Sequence, residues 1–175
     1  MTLDDIMHDS KYDMTQFAPT AREELLERTE TRKDKTGEVL YVECLVRHKA
    51  IKLKPEEVVR QLYLAKLHND YGYSYERMSV EYPVNFGREV RRADIVIMDK
   101  DEPTVPFIVI ELKKPQLRDG KEQLRSYCNA TGAPIGVWTN GSQISYYHRK
   151  DRRAKSYVEN SQPNRATAFN CSVYQ

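Results

Sequence analysis

The four-residue apolar run at 107–110, which ends at Glu111, constrains the fold of this chain more than any other feature. A run that is apolar on both faces is typical of a central strand that is covered on both sides. Two further extended segments precede it, at Ser79–Val84 and Ala93–Met98, and a loop with two prolines at 100–106 follows the second of them. The run is therefore predicted to lie in the middle of a sheet.

Helical patterns lie on both sides of these strands in the sequence. Pro55, followed by two acidic residues, is a strong helix start, and the apolar stripe behind it continues to about His68. A second helix is predicted to begin at an Asp119 cap, with Glu122 as its capping-box partner, and to stop at Gly132. Two strands complete the order, Ile135–Trp138 and Gln143–Tyr147, joined at a hairpin turn, Asn140–Gly141.

The resulting order from residue 55 is α-β-β-β-α-β-β, which predicts an α/β fold with a mixed central sheet flanked by helices. Residues 55–150 are interpreted as the folded domain. Residues 1–54 are predicted to be an N-terminal extension with one or two short strands, at Val39–Val46 and Ile51–Leu53. Residues 151–175 are polar and lack any period, so they are expected to form a disordered or non-native tail.

Several function classes are excluded by what the sequence lacks. With 175 residues the chain has room for one domain, and no apolar run approaches the ~18–20 residues of a membrane helix. It contains no CxxC or HxxxH pair, no phosphate-binding GxxxxGK[ST] loop and no GxSxG motif. The net charge of +2 indicates no broad positive field, and the acidic amino terminus does not fit a secretory signal, so we expect a cytoplasmic protein with no membrane partner.

The most informative group of residues is Asp94 with Glu111 and Lys113. If their two strands form an antiparallel hairpin around the 100–106 loop, residues whose numbers sum to about 205 or 206 face each other. Asp94 and Glu111 then lie with Cβ atoms ~4.5–5.5 Å apart on one face, and Lys113 points to the same face. Two carboxylates this close repel each other unless a cation lies between them, and Mg²⁺ suits the position, with the Leu112 carbonyl as a third ligand.

Surface ion pairs are the alternative interpretation of the same residues. A pair between Arg92 and Glu111, or between Lys113 and Asp94, accounts for the charges without any metal. A register shifted by one residue would also put the two carboxylates on opposite faces of the sheet. Glu111 nevertheless ends an apolar run, where an unpaired carboxylate is costly to bury.

Further candidates come from the helices and from basic clusters. Gln123 and Tyr127 are one helical turn apart and share a face, although Tyr127 packing on the sheet beside a solvated Gln123 is also consistent with the spacing. Glu57 lies in a first helical turn, where an acid is stabilised by the helix dipole in any case. The candidates for contact with phosphates are Arg92, Lys114 and Arg125; a solvated face is the default interpretation for Lys114 and Arg125, and both interpretations are open for Arg92.

An ordered set of motifs resembles a known family. The motifs include PEEVVRQ at 55–61, RADIV at 92–96, VIELK at 109–113, QLRSY at 123–127 and WTNG at 138–141. Together they resemble the amino-terminal nuclease domain of the type I restriction enzyme R (motor) subunit, within the PD-(D/E)xK superfamily. The resemblance covers roughly residues 55–147, and Ala93 stands where the superfamily's name has proline.

The resemblance implies a restriction-endonuclease-like core and Mg²⁺-dependent cleavage of double-stranded DNA. It implies that Asp94 and Glu111 ligate the metal and that Lys113 is the catalytic lysine. Gln123 and Tyr127 match the QxxxY pair that supports such a site, and the acid of the first helix maps to Glu57 or, less directly, Glu56.

Such R subunits act with methylation and specificity subunits, and they carry an ATP-driven motor after the nuclease domain. No motor follows here, so the resemblance implies a fragment or truncated product, with ATP needed only by the motor. Two other functions stay open from the sequence: a catalytically silent DNA-docking or assembly module of the same fold, and a nuclease that acts alone in repair.

Overall fold

The chain folds into two β-sheets with helices packed against them, in a computed structural model that describes residues 2–35, 37–115, 117–141, 143–149 and 157–163. The α-helices are α1 (Leu3–Met7), α2 (Pro19–Glu27), α3 (Pro55–Asn69) and α4 (Lys121–Thr131). The strands are β1 (Thr29–Asp34), β2 (Gly37–Cys44), β3 (Lys49–Lys52), β4 (Met78–Phe86), β5 (Glu89–Met98), β6 (Pro106–Leu112), β7 (Ile135–Thr139), β8 (Gln143–Arg149) and β9 (Tyr157–Pro163). Short 3-10 helices lie at Met14–Gln16 and Tyr75–Arg77.

The larger sheet is mixed, as the sequence predicts. Its strands run in the order β4-β5-β6-β7-β8-β9, and every neighbouring pair is antiparallel except β6 and β7, which are parallel. A parallel pair needs a crossover connection, and α4 supplies it. The predicted α/β class and the α-β-β-β-α-β-β order are therefore confirmed, with β9 added beyond them.

The helices α3 and α4 cover opposite faces of this sheet. Successive residues of a strand point to opposite faces, so β5 and β6 divide their side chains between two clusters. Ile95 and Ile110 are buried in the cluster that contains the apolar face of α3. Val96 and Val109 are buried in the cluster that contains Leu124 of α4. The run that ends at Glu111 is thus covered on both sides, as a central strand is expected to be.

The β4–β5 hairpin changes face halfway along its length. The sequence predicts that Val80, Tyr82 and Val84 share one face, but Val80 packs in the α3 cluster and Val84 in the α4 cluster. The change occurs at Glu81, whose φ of +53° lies in the left-handed region. An extended chain cannot keep its alternation through such a residue, so the prediction of one shared face is wrong.

The strand β5 makes the same change at the residue opposite. Ile95 packs in the α3 cluster, whereas Ala93, two residues earlier, packs in the α4 cluster. Between β5 and β6 the antiparallel ladder ends at the pair Ile95 and Ile110, and β6 continues beside β7 alone. We call this point, where β5 separates from β6 between Asp94 and Glu111, the fork.

The N-terminal residues are more structured than the predicted extension. The strands β2 and β3 overlap the two predicted strands, and β1 joins them in an antiparallel three-stranded sheet. A helix absent from the predicted extension, α2, begins at Pro19 because proline suits the first helical position. Phe17 and Leu25 are buried in the same cluster as the apolar face of α3.

Two further local predictions differ from the structure. The N-cap of α4 is Gly120 in the left-handed conformation, with no side-chain cap, so the predicted Asp119 capping box is wrong, whereas the predicted stop at Gly132 is correct. Residues 157–163 form β9, paired antiparallel with β8, where the sequence predicts a tail without structure. Backbone pairing needs no apolar period, which is why the pattern did not indicate it; the rest of 151–175 lies outside the described residues.

Candidate functional site

Asp94 lies at the fork and is held by two donors from different elements. Its Oδ2 accepts a hydrogen bond from the Leu112 backbone N–H at 2.9 Å, beyond the last regular pair of β5 and β6. Its Oδ1 accepts from Nη2 of Arg60 on α3 at 2.8 Å. The carboxylate therefore bridges the gap between the separating strands, and its position is fixed from both sides.

Glu111 is the neighbouring carboxylate, and one of its oxygens is left without a partner. The residue is 3% exposed. Its Oε1 pairs with Lys113 Nζ at 2.8 Å, whereas its Oε2 is buried and accepts no hydrogen bond. Burial, followed by the charge of Asp94, raises the pKa of Glu111 to about 7. The predicted register is confirmed next to the fork, where the three pairs from Ile95–Ile110 to Ile97–Ile108 each sum to 205 and Asp94 and Glu111 come next in line; the pair beyond the register shift, Met98–Pro106, sums to 204.

Lys113 is positioned between Glu111 and α4. Its Nζ lies 2.8 Å from Glu111 Oε1 and donates to Gln123 Oε1 at 3.3 Å. Burial acts to lower the pKa of Lys113, but the hydrogen bond and charge of Glu111 outweigh it, so the pKa is raised and the ammonium stays charged. The stem of this side chain passes over Gly120, where an added Cβ would come within 2.3 Å of Lys113 Cε.

Gln123 and Tyr127 extend this chain of hydrogen bonds to the hairpin. Gln123 Nε2 donates to the Tyr127 hydroxyl at 2.5 Å, and that hydroxyl donates to the Arg92 carbonyl at 3.2 Å. Tyr127 is also buried in the α4 cluster, so the packing alternative holds for its ring. Gln123, however, forms hydrogen bonds through both its amide oxygen and its amide nitrogen, so its side chain is not merely solvated.

Glu57 is close to this group but is already neutralised. It is buried, and it accepts from Arg60 Nη1 at 2.5 Å, from Gln61 Nε2 at 2.9 Å and from Arg47. Glu56, the other candidate acid of this helix, points elsewhere and pairs with Lys114 at 2.7 Å. Of the two, only Glu57 is linked to Asp94, through their shared partner Arg60.

The three basic candidates lie in different surroundings. Arg92 is exposed on β5, two residues before Asp94. Lys114 is exposed and paired with Glu56. Arg125 pairs with Glu122 at 2.7 Å and lies over the Tyr147 ring, 5.1 Å from its centroid. The ion pairs considered from the sequence, Arg92 with Glu111 and Lys113 with Asp94, are replaced by the pairs described above.

Four residues of this site were not singled out from the sequence: Arg47, Arg60, Glu81 and Gly120. The three-residue spacing of Glu57 and Arg60 was a readable signal for a pair on one helix face. Glu81 lies opposite Asp94 across the hairpin, and its carboxylate is 3.6 Å from Arg47 and 3.9 Å from Arg60. No local pattern indicates its left-handed backbone.

The donor set at the fork fits a hard divalent cation. Among the described residues no group of three or more His, Cys, Asp or Glu side chains is arranged to hold a metal. Two carboxylates suffice for Mg²⁺, because it keeps several of its waters. The unpartnered Glu111 oxygen beside Asp94 is the observation in favour of the fit. The Leu112 carbonyl as a third ligand stays a prediction.

Comparison with known proteins identifies one family. A family model described as "Type I restriction enzyme R protein N terminus" matches residues 55–161, more than half of the chain, from the start of α3 into β9. A search of curated proteins found no match. No helix in the described part of the chain is long and apolar enough to cross a membrane.

Proposed function

Because the chain belongs to the family of type I restriction enzyme R protein N termini, we propose that it is a Mg²⁺-dependent DNA endonuclease domain of the PD-(D/E)xK superfamily. The proposal includes the restriction-endonuclease-like core, with Ala93 in place of the superfamily's proline. The observation that carries it is the buried, unpartnered oxygen of Glu111 beside Asp94 and a charged Lys113. A structural ion pair needs no such orphaned acceptor, whereas a metal ligand does.

Asp94 and Glu111, with the Leu112 carbonyl, would hold the cation. Bound there, Mg²⁺ would polarise a phosphoryl oxygen of the DNA backbone and acidify a coordinated water. Asp94 has little freedom to move, because Arg60 and the Leu112 amide fix both of its oxygens. The backbone contact of Oδ2 preorganises Asp94 and lowers the reorganisation that the reaction requires, whereas the ion pair of Oδ1 with Arg60 would have to be exchanged for the cation.

Lys113 would orient the attacking water and stabilise the charge that develops on the phosphate. Its ammonium is held toward Glu111 by Gln123, which is itself fixed through Tyr127 to the hairpin. We assign Gln123 and Tyr127 a positioning role, because neither needs to touch the substrate for this geometry to hold. Glu57 would not contact the cation; it would act on Asp94 indirectly, through its ion pair with Arg60.

Double-stranded DNA is the proposed substrate, bound within a restriction complex in the cytoplasm. Arg92 is exposed and lies two residues before Asp94 on the same strand, so it is the best placed of the basic candidates for a phosphate contact. Lys114 and Arg125 would first have to exchange their acidic partners for phosphates. The methylation and specificity subunits are proposed partners, and ATP is proposed only for a motor region.

Cleavage of a supercoiled plasmid tests this function. In the presence of Mg²⁺ or Mn²⁺ the purified chain is expected to nick or linearise the plasmid. Asp94→Asn and Lys113→Met should lower the rate by about 10²-fold or more, as expected when a metal ligand or a charge-stabilising group is removed. Asp101→Asn is the matched control, since Asp101 is an exposed loop carboxylate, and it should leave the rate unchanged.

Cleavage that survives Asp94→Asn and Lys113→Met would remove the proposed site. The same plasmid assay should be repeated with the methylation and specificity subunits added, because these subunits are the proposed partners.

A DNA-docking module without catalysis is the second candidate. It is favoured by the two donors that already occupy the oxygens of Asp94. DNA binding without cleavage at any metal concentration, both alone and with the other subunits, would support this candidate over the nuclease.

A further inference from the structure

Arg60 is the only described side chain that donates to an oxygen of Asp94, and it does so from a largely buried position. Its side chain is 13% exposed, with one terminal nitrogen on Asp94 and the other on Glu57. Its Nε is buried and forms no hydrogen bond. A guanidinium held in this way lacks the water that would otherwise compensate its charge, so the carboxylates around it do so.

The surroundings carry more negative than positive charge. Four carboxylates meet around the fork, those of Glu57, Glu81, Asp94 and Glu111. Three cations face them: Arg47, Arg60 and Lys113. Arg47 and Lys113 form ion pairs only with acids other than Asp94, so Arg60, which also contacts Glu57 and Glu81, supplies the positive charge next to Asp94. With Arg60 in contact, Asp94 is neutralised in the absence of any metal.

We propose that Arg60 is an internal counter-ion of the cation site: it holds Asp94 Oδ1 in the resting state and gives up that contact when a divalent cation binds. The inference rests on the proposed function, since it assumes that Asp94 is a metal ligand. It goes beyond that function by assigning Arg60 a role opposed to metal binding, rather than one that supports it.

The sign of the effect follows from charge. A guanidinium bonded to one oxygen of a ligand repels a divalent cation on the same carboxylate, and in a partly buried site that repulsion is weakly screened. Removal of the positive charge should therefore strengthen metal binding. A residue that merely orients Asp94 would have the opposite effect, since its loss would weaken binding.

The test is the Mn²⁺ dissociation constant of the whole chain, measured by calorimetry for the wild type and two variants. Arg60→Gln removes the charge and is expected to lower the dissociation constant by roughly tenfold, in line with weak screening at this depth. Arg60→Lys keeps the charge and is expected to stay within about threefold of the wild type. Lys66→Gln removes a positive charge from the same helix, where Lys66 pairs with Asp70, and is the matched control.

The outcomes separate the inference from the proposed function. Unchanged or weaker Mn²⁺ binding by Arg60→Gln, relative to the wild type, overturns the inference. Binding by Arg60→Lys that is as tight as that of Arg60→Gln also overturns it. Absence of binding by the wild type and by all variants also overturns it. Tighter binding by Arg60→Gln without DNA cleavage by any variant supports the inference, while it counts against the nuclease.

A measurement on the wild type covers the case in which Arg60→Gln does not fold. The Arg60 Nε–H is buried, so its nitrogen resonance is expected to be visible in an NMR spectrum and to be absent from that of Arg60→Lys. Titration with Mg²⁺ should shift this resonance with the same midpoint as the metal-binding isotherm. A resonance that does not move while metal binds would overturn the inference.

Discussion

At the scale of single residues, the fork contains a carboxylate, Glu111, whose charged form is unfavourable in its surroundings. Glu111 is excluded from water, has a second carboxylate as its neighbour and leaves one oxygen without a donor. A group in this situation favours its neutral form until a cation arrives. The free energy of unfolding should therefore depend on the ionisation of Glu111 even when no substrate is present.

The first prediction concerns pH. The folded-state pKa of Glu111 is raised from 4.5 to about 7, so its stabilising contribution is fully present below pH 4.5 and is lost as the pH rises through 7. The loss amounts to about 3 kcal/mol, because each pKa unit corresponds to about 1.4 kcal/mol. Urea unfolding between pH 4 and 8 should show Glu111→Gln becoming more stable than the wild type as the pH rises.

The difference between the two proteins is the relevant quantity, because their sequences differ only at residue 111. Saturating Mg²⁺ should abolish that difference at pH 8 by stabilising the ionised carboxylate of the wild type. A stability difference that stays flat with pH would contradict the burial argument for Glu111.

The second prediction concerns the contact of Lys113 with Gly120. In Gly120→Ala the new Cβ would overlap Lys113 Cε, so the flexible lysine stem must move away from Glu111. We expect DNA cleavage to fall by about tenfold or more, as for other displaced catalytic groups, while the chain stays folded. Cleavage rate and melting temperature are the measurements.

Gly132→Ala is the matched control for this substitution. Gly132 also has a positive φ, +78° against +90° at Gly120, but a Cβ there meets open space. Both variants should lose about 1–2 kcal/mol from backbone strain alone. Equal loss of cleavage in the two variants would show that strain, and not displacement of Lys113, is responsible.

Part of the site could be predicted from the sequence at this scale, because the length of a hairpin loop determines which residues of its two strands pair. Asp94 and Glu111 were identified as neighbours from the length of the loop between their strands, and the observed register agrees. Arg60 could not be identified in the same way, since its contact depends on how α3 lies across the sheet. The role of Gly120 depends on a contact with a side chain seven residues away, which no local pattern encodes.

At the scale of elements, the change of face in the β4–β5 hairpin creates the fork. A left-handed residue in a strand interior is strained unless it is glycine, and Glu81 is such a residue. The alternation rule that identified β4 as a strand therefore failed at its midpoint. The residue at which the alternation changes, Glu81, lies opposite Asp94 at the candidate site.

The third prediction follows from this strain. Glu81→Gly removes it and should retain the fork, whereas Glu81→Val, with a β-branched side chain, should force β4 toward regular alternation. We expect the valine variant to be about 1–2 kcal/mol less stable than the glycine variant. In the valine variant the Leu112 amide should also exchange its hydrogen faster, because it loses Asp94 as acceptor.

Ser79→Val is the control, because Ser79 lies in the same strand and pairs regularly with Val96. Exchange of the Leu112 amide should be unaffected there. Slow exchange of this amide in Glu81→Val would mean that the fork does not depend on the backbone of Glu81.

At the scale of the whole molecule, the N-terminal residues belong to the core on which the site is built. Phe17 packs edge-on against Tyr63 of α3, with ring centroids 5.1 Å apart. The Tyr63 hydroxyl donates to Gln16 at 2.8 Å. Sequence patterns did not predict this, because α2 has a weak apolar stripe and its burial depends on α3 and not on its own periodicity.

The fourth prediction compares two adjacent leucines of α2. Leu25 is 1% exposed and Leu26 is 46% exposed. Leu25→Ala should lower the free energy of unfolding by about 2–5 kcal/mol, whereas Leu26→Ala should change it by about 0.5 kcal/mol or less. Urea unfolding monitored by Trp138, which is buried beside α4, would detect the loss across the central sheet.

The hydrogen bond from Tyr127 to the Arg92 carbonyl joins strand β5 of the hairpin to α4, the helix whose Gln123 contacts Lys113. The connection runs through two side chains, those of Tyr127 and Gln123, to the ammonium group of Lys113. The distance between Lys113 and the two carboxylates therefore depends on how β5 lies relative to α4.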